Sequence, residues 1–180
     1  MELNKFKLTL KRASPPAPAE VHALEKWRAL FYKLHLIGEY PNEKIGFGNL
    51  SYRLPDKRGF IITGAQTGHI VHLQPHHYSR VVQCDLIKGH VLAEGVIAPS
   101  SEALIHYGLY EADSEINYIF HVHHHRLWEY LQANGPEVQK GIIVMKGHQD
   151  EIIAFGPSAD EAGKLVLDLY RKIITGEPEE

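Results

Sequence analysis

The sequence predicts a three-layer α/β/α fold, in which helices cover both faces of a central, mainly antiparallel sheet. Short stretches rich in aromatic and β-branched residues recur along the chain, and turn-forming residues separate them. Other stretches carry apolar residues at every third or fourth position, which is the pattern of amphipathic helices. An order of elements that mixes hairpins with helices predicts helices packed on an antiparallel sheet.

The length and composition of the chain predict one domain. A chain of 180 residues buries roughly 70% of the surface that it exposes when unfolded. Hydrophobic residues make up 44% of the sequence and charged residues 23%, which are ordinary values for a globular protein and exclude a disordered chain. Three prolines within positions 15–18 exclude a helix there. The sequence therefore predicts an extended N-terminal arm over residues 1–18 and a single domain over residues 19–180.

The sequence of the first half of the domain predicts one helix followed by strands. Apolar residues recur every three or four positions from Ala19 to Ile37, as on one face of an amphipathic helix, and Gly38 ends this pattern. Turn-forming residues at 55–58 separate two stretches with strand character, which predicts a hairpin. The candidate strands are 48–54, 59–63, 80–85 and a stretch around Val91.

The second half of the domain alternates helices with apolar runs. Pro99-Ser100-Ser101 opens a helix that continues through Ala112, and either serine could cap its first turn. Ser158 and Glu161 form a capping box before the last helix. The remaining candidate elements are a strand at 117–123, a short helix at 126–133 and apolar runs at 141–145 and 151–155.

Charge and hydropathy exclude some partners. A formal net charge of −3 and a pI near 6.5 provide no field that would attract nucleic acid or an anionic membrane surface. No apolar run approaches the roughly 20 residues of a membrane-spanning helix, and the N-terminus lacks the layout of a secretory signal. We therefore expect a cytoplasmic protein with no nucleic-acid or membrane partner. The single cysteine, Cys84, is assigned no role.

The unusual feature of the composition is its thirteen histidines. Successive side chains of a strand alternate between faces, so His121 and His123 should point the same way. Two imidazoles at this spacing suit zinc, but two ligands do not close a site. His148 follows an apolar run, and Glu102 lies at the start of a predicted helix. These four residues could satisfy a tetrahedral ion, or Glu102 could leave the metal when substrate arrives and act as a general base.

The same residues also have structural interpretations. His121 and His123 could be structural histidines on an apolar strand. The neighbouring His124 and His125 could be solvated, or could orient the ligands. His106 follows Glu102 by four positions and shares its helical face, so it could orient that carboxylate or be a partly buried core residue.

Five short pieces of the sequence carry a family resemblance. In order they are Gly48-Asn49-Leu50-Ser51, Thr63-Gly64-Ala65-Gln66-Thr67-Gly68, Pro99-Ser100-Ser101-Glu102, Ile119-Phe120-His121-Val122-His123 and Gly147-His148. Together they resemble the class II aldolase and adducin head family, which includes fuculose-phosphate aldolase, ribulose-phosphate 4-epimerase and methylthioribulose-phosphate dehydratase. The resemblance runs from about Trp27 to Tyr170.

The resemblance implies roles for individual residues. His121, His123 and His148 would bind the metal, and Glu102 would alternate between ligand and acid/base group. The expected ion is zinc, with manganese, iron or cobalt as alternatives. The family also forms rings, which implies a homotetramer. The implied phosphate-binding residues are Asn49, Thr67, Gly68, Ser100 and Ser101, where a glycine-bearing loop and a helix start offer amide donors to an anion.

The implied activity is that of a lyase acting through a metal-stabilised enediolate on a small, phosphorylated sugar or hydroxycarbonyl compound. A 4-epimerase or dehydratase would use the same site, a non-catalytic scaffold like adducin would not need it, and a metal hydrolase would share the histidines. The sequence also departs from the family. The segment between His123 and His148 is short, and Gln149-Asp150-Glu151 adds polar and acidic groups beside the metal.

Overall fold

The structure is a computed structural model that describes residues 6–134, 140–145 and 150–176. Within these residues the α-helices are α1 (Pro18–Lys33), α2 (Ala103–Ala112), α3 (His125–Asn134) and α4 (Ala159–Tyr170), and a π-helical turn at Arg171–Thr175 follows α4. A 3-10 turn spans Pro75–His77. The strands are β1 (Lys7–Arg12), β2 (Gly38–Tyr40), β3 (Ile45–Phe47), β4 (Asn49–Arg53), β5 (Phe60–Thr63), β6 (Tyr78–Asp85), β7 (His90–Gly95), β8 (Tyr118–His123), β9 (Ile142–Val144) and β10 (Glu151–Gly156).

Eight of the described strands form one sheet, in the order β1-β7-β6-β5-β4-β8-β10-β9. Neighbours in this sheet are antiparallel, apart from β1 and β7, which are parallel. The strands β2 and β3 pair separately as a short antiparallel hairpin that was not predicted. The predicted central, mainly antiparallel sheet is confirmed, including the hairpin of β4 and β5.

Helices cover both faces of the sheet, as predicted. The helices α1, α3 and α4 pack on one face, where their apolar side chains share a core with the sheet. The helix α2 packs on the opposite face, where Ala103 and Tyr110 join a second core. On β8, Phe120 and Val122 belong to the first core and Ile119 to the second, because alternate side chains point to opposite faces. This confirms the three-layer α/β/α arrangement.

The beginning of the chain contains an edge strand. Within the predicted arm, residues 7–12 form β1 beside β7, and all six residues are exposed. Pro18 is the first residue of α1, where a proline is tolerated because the N–H it lacks has no partner in the first helical turn. The helix ends at Lys33 rather than at the predicted Ile37, since His35 has a φ of 57°, which an α-helix cannot continue. The division of the chain into an arm and one domain stays a prediction.

Two helix starts differ in their capping. At α4, Ser158 Oγ accepts a hydrogen bond from the main-chain N–H of Glu161, as the predicted capping box requires. At α2 the first helical residue is Ala103, and Ser100 Oγ accepts from the N–H of Glu102 at 3.3 Å. Ser100 therefore supports the turn that precedes the helix, and Glu102 stands at the helix N-terminus.

Among the described residues, none of the helices combines the length and the apolar character that crossing a membrane requires.

Candidate metal centre and substrate cleft

His121 and His123 lie side by side on the face of the sheet that α2 covers. They alternate on β8 with Phe120 and Val122, which belong to the core on the opposite face. Their ring centroids are 4.8 Å apart. His121 is buried and His123 is half-buried. The strand therefore presents two adjacent imidazoles on one face, as the His-x-His spacing predicted.

The neighbouring strands add one polar residue on each side of these histidines. The register pairs His121 with Asn49 of β4, and His123 with Glu151 of β10. Side chains paired in this way share a face of the sheet and lie about 5 Å apart at their Cβ atoms. Glu151 was not predicted as a ligand, and the strand register brings it to the histidines.

The two ring nitrogens of His121 have different surroundings. Nδ1 lies 2.5 Å from Glu102 Oε2, so Nδ1 carries the ring proton and donates a hydrogen bond to the carboxylate. Nε2 is buried and makes no hydrogen bond within the described part of the chain. Glu151 Oε2 lies 3.8 Å from this Nε2. A buried polar atom without a partner calls for an explanation, and an imidazole lone pair beside a carboxylate is a pair of metal ligands.

The candidate metal centre consists of His121, His123 and Glu151. One ligand atom from each of them lies within 4.8 Å of the ligand atoms of the other two. Two imidazoles and a carboxylate suit zinc and other divalent transition metals, so these residues fit such an ion. Among the described residues, Glu102 is not a member of this group, and its Oε2 faces the other ring nitrogen of His121.

A tyrosine from the β2–β3 hairpin orients the second histidine. Tyr40 Oη lies 3.1 Å from His123 Nδ1. Burial, followed by the charges of Asp150 and Glu151, raises the pKa of Tyr40, so its hydroxyl stays protonated. In the tautomer in which His123 Nδ1 donates to Tyr40, Nε2 is the unprotonated ring nitrogen.

A chain of buried hydrogen bonds runs from the core to Glu102. Tyr110 Oη lies 2.7 Å from Ser51 Oγ, which lies 2.6 Å from His106 Nδ1. His106 Nε2 lies 2.5 Å from Asn49 Oδ1, and Asn49 Nδ2 donates to Glu102 Oε2. Burial lowers the pKa of His106 to about 3, so its imidazole stays neutral. This chain orients Asn49 and Glu102.

Glu102 is ionised although it is largely buried. Burial alone would raise the pKa of this carboxyl. The hydrogen bonds that the carboxylate accepts from His121 and Asn49 outweigh burial and lower the pKa to about 2. The ionised carboxylate in turn fixes the tautomer of His121, with the proton on Nδ1.

The candidate metal centre opens into a cleft of about 280 Å³. The walls of the cleft are the β2–β3 hairpin, the loop at residues 64–68 and the start of α2. His123, Glu151 and Glu102 lie on its surface. The five residues predicted to bind phosphate also line it: Asn49, Thr67, Gly68, Ser100 and Ser101. The structure thus brings the predicted phosphate-binding residues and His123 to one cleft, with the buried His121 beside His123 on β8.

Comparison with protein families identifies the family of the chain. The model of the Class II Aldolase and Adducin N-terminal domain matches residues 30–155, which is more than half of the sequence. The chain belongs to the class II aldolase and adducin family. No curated protein sequence matches it significantly.

Solved structures share the fold of this class II aldolase family member. L-fuculose-1-phosphate aldolase from Thermus thermophilus has a TM-score of 0.61 at 16% identity, over 91% of this chain and 100% of that chain. L-fuculose 1-phosphate aldolase from Glaciozyma antarctica has a TM-score of 0.62 at 17% identity, over 91% and 76%. YgbL from Klebsiella pneumoniae, named as an aldolase/epimerase/decarboxylase, has a TM-score of 0.60 at 18% identity, over 90% and 91%. At these identities the likeness shows the fold.

Hydrogen bonds limit what two of the predicted phosphate-binding residues can donate. The hydroxyl of Thr67 donates a hydrogen bond to the carbonyl oxygen of Gly64 at 2.9 Å. Asn49 uses its amide nitrogen for Glu102 and its amide oxygen for His106. Both side chains are therefore committed to the protein, and Thr67 can offer an anion only its main-chain N–H.

The two serines at the start of α2 keep hydroxyl protons that can be donated. Ser100 Oγ accepts a hydrogen bond from Glu102, which leaves its own proton for another acceptor. Ser101 is exposed at the surface of the cleft. An anion at this position would also face the N-terminus of α2, where the helix dipole favours negative charge. Of the predicted phosphate-binding side chains, Ser100 and Ser101 are the best placed to act.

A buried arginine holds the loop that forms one wall of the cleft. Arg28 of α1 is 1% exposed and donates hydrogen bonds to the main-chain oxygens of Thr67, Gly68 and Val71. A Cβ atom at Gly68 would lie 1.9 Å from the carbonyl oxygen of Gly38, so only glycine fits there. The loop is therefore packed against the β2–β3 hairpin with no room for a side chain.

The remaining predicted histidines have other positions. His148 lies outside the described residues, and its role as a ligand stays a prediction. His125 is exposed, and its Nδ1 lies 2.7 Å from Asp150 Oδ1. The main-chain N–H of the half-buried His124 donates to the carbonyl oxygen of Asp150 at 2.8 Å. These two contacts fix the start of β10, one residue before Glu151.

Tyr40 was not predicted, and Glu151 was predicted to lie beside the metal but was not assigned as a ligand. A signal for Glu151 existed, because it begins an otherwise apolar strand, just as His121 and His123 interrupt one. Tyr40 lies in a polar segment without a strand pattern, and nothing in the sequence pointed to it.

Proposed function

We propose that the protein is a metal-dependent lyase of the aldolase type, which cleaves or forms a carbon–carbon bond in a small, phosphorylated sugar or hydroxycarbonyl compound. One observation carries this proposal: the buried Nε2 of His121 has no partner among the described residues and faces Glu151 at the wall of a cleft. The same cleft contains Ser100 and Ser101. Its volume of about 280 Å³ suits a small molecule.

The residues of the cleft divide the chemistry among them. A divalent cation held by His121 and His123, with zinc as the proposed ion, would supply Lewis-acid stabilisation of the oxyanion that develops as the carbon–carbon bond breaks. Glu102 lies in the cleft wall, and we assign proton transfer to its carboxylate. Ser100 and Ser101 would bind the phosphate and thereby position the reacting carbons.

Two other reactions would use the same residues. A 4-epimerase and a dehydratase both need a bond broken next to a carbonyl whose developing charge is stabilised, so the candidate metal centre serves them equally well. Incubation with phosphorylated ketoses and product analysis would separate the three reactions. Aldol cleavage gives two smaller carbonyl compounds, epimerisation gives an isomer, and dehydration gives a product that has lost water.

The metal content of the purified protein tests the proposal first. Elemental analysis of untagged wild type should find about one divalent ion per chain. His121→Ala should lose it, together with cleavage activity. His22→Ala is the matched control, because His22 is exposed on α1 and lies outside the candidate metal centre, and it should keep the ion. If wild type binds no ion even after reconstitution, the protein is a non-catalytic, adducin-like scaffold and not a metal-dependent enzyme.

We also propose that the protein is a homotetramer, as the family resemblance predicts. Closed symmetric assembly is the common state of such domains. Mass measurement in solution would test this, and a monomeric mass at micromolar concentration would refute it.

A further inference from the structure

We propose that Gln66 is a further substrate-binding residue of the cleft, whose side-chain amide donates hydrogen bonds to the phosphate group alongside Ser100 and Ser101. Gln66 is not among the residues that the sequence resemblance implied. Its role rests on the proposed function, because Gln66 adds a donor to the proposed phosphate-binding site. Phosphate recognition in this cleft then depends on neutral side chains.

The cleft has no cationic side chain with which to bind an anion. Among the described residues that line it there is no lysine or arginine, whereas Glu102 and Glu151 both contribute carboxyl groups. Neutral hydrogen-bond donors must therefore hold the phosphate. Asn49 and Thr67 are committed to partners within the protein. Outside the candidate metal centre and Tyr40, which orients it, the lining side chains that can still donate are Ser100, Ser101 and Gln66.

Backbone contacts place Gln66 beside the two serines. Gly64 and Pro99 form an antiparallel bridge between the loop at residues 64–68 and the segment that leads into α2. The main-chain N–H of Ser100 also donates to the carbonyl oxygen of Thr63 at 3.0 Å. The loop and the start of α2 therefore run side by side, and both form walls of the same cleft.

The side chain of Gln66 uses only its oxygen within the described part of the chain. Oε1 accepts a hydrogen bond from the main-chain N–H of Gly46 at 3.2 Å, which ties the loop to the β2–β3 hairpin. An amide nitrogen carries two N–H donors, and Nε2 makes no hydrogen bond to the described residues. Gln66 is exposed at the surface of the cleft. The contact with Gly46 thus fixes the amide group and leaves both donors for a ligand.

The backbone of Gln66 has a conformation that favours glycine. Its φ is 56°, in the left-handed region where a side chain is unfavourable. The buried guanidinium of Arg28 holds the carbonyl oxygens of the next two residues, Thr67 and Gly68, so the loop keeps this conformation. Unfavourable backbone conformations occur preferentially at functional sites. A glutamine at this position therefore indicates that its side chain has a function.

The variant Gln66→Glu separates a ligand contact from a structural role. Glutamate keeps an oxygen that accepts from the N–H of Gly46, but it replaces both N–H donors with an acceptor. Isothermal titration calorimetry with inorganic phosphate measures affinity without turnover. Gln66→Glu should weaken phosphate binding by at least about 10-fold, because a hydrogen bond to a charged group is lost and two negative charges face each other. A residue that only tied the loop to the hairpin would show no such loss.

Two further variants complete the comparison. Gln83→Glu is the matched control, because Gln83 is exposed on β6 and does not line the cleft, and it should bind phosphate like wild type. Gln66→Gly adopts a φ of 56° without strain, so it should fold even if Gln66→Glu does not. This variant lacks the donors and should bind phosphate about 10-fold more weakly. Elemental analysis matches the metal content of all four proteins, and circular dichroism checks that they fold.

The outcomes separate the role of Gln66 from the proposed function. If wild type binds no phosphate, the phosphorylated substrate of the proposed function is refuted, and the role of Gln66 with it. If wild type binds phosphate and Gln66→Glu binds it as tightly as Gln83→Glu does, only the role of Gln66 is overturned. Wild-type affinity in Gln66→Gly would overturn that role as well.

Discussion

His106 should make the folded protein sensitive to mild acid. Its side chain is 0% exposed, with Nε2 donating to Asn49 Oδ1 at 2.5 Å and Nδ1 accepting from the hydroxyl of Ser51 at 2.6 Å. Burial lowers the pKa of His106 from 6.5 to about 3. A second proton on this ring would place a positive charge in the buried core, away from water. Protonation therefore favours the unfolded chain.

The sign and size of the effect follow from the two pKa values. The pKa of His106 is lower in the folded state, so the unfolded chain binds the proton first. Stability is fully present above pH 6.5 and is lost as the pH falls towards 3. Each pH unit within this window lowers the free energy of unfolding by about 1.4 kcal/mol. A change from pH 6.5 to about pH 5 should therefore lower it by about 2 kcal/mol. The pKa of Glu102 is lowered from 4.5 to about 2, so its own contribution is lost only at more acidic pH.

Urea unfolding of the metal-free protein at pH 7 and pH 5 measures this cost. Wild type should lose about 2 kcal/mol more between these values than His106→Gln, which has no titrating ring at this position. Ser51→Ala is the control, because it removes a hydrogen bond but keeps the buried imidazole. This variant should be less stable at both pH values and should keep the wild-type pH dependence. If His106→Gln loses as much stability with acid as wild type does, the buried neutral imidazole is not the cause.

Four further substitutions test the cleft, the loop beside it and the helices α2 and α4. Ser101→Ala should raise KM for a phosphorylated substrate by about 10-fold with little change in kcat, as for one lost hydrogen bond to a charged group; steady-state kinetics would check this. Gly68→Ala should destabilise the protein by about 1–3 kcal/mol through the clash with Gly38, whereas Gly108→Ala, with nothing within 4 Å of its added Cβ, should stabilise helix α2 by about 0.5–1 kcal/mol in denaturant unfolding. Ser158→Ala should cost about 1 kcal/mol by loss of the α4 cap, and an unchanged melting temperature would contradict this.

The elements that the sequence predicted well are those whose periodicity is local. The alternation on β8 placed His121 and His123 on one face, because two residues per repeat is a property of the strand itself. The end of α1 shows the limit of such patterns. Leu36 and Ile37 are buried like the helical residues before them, but they follow a left-handed residue and lie outside the helix. The spacing of apolar residues indicates which residues are buried. It does not show where the helix ends, because buried residues continue beyond the last helical turn.

The short hairpin of β2 and β3 could not be predicted in the same way. Each strand has three residues, which is too few for an alternating pattern to be recognised. The hairpin is positioned by tertiary contacts, including the close approach of Gly38 and Gly46 to Gly68. Tyr40 reaches His123 only because these contacts exist, so its role depends on information that no local window contains.

The register between β8 and β10 explains why the third member of the candidate metal centre could not be assigned from sequence. Glu151 and His123 are far apart along the chain, and their pairing depends on how the second core closes. On this face of the sheet Ile119 of β8 and Ile153 of β10 belong to the second core, and the next residue of β8 on the same face is His121, which Glu102 meets at the start of α2. The packing of α2 on these isoleucines therefore sets the position of Glu102 against His121. The polar site is an extension of the apolar core, so repacking this core should disturb metal binding before it disturbs the fold.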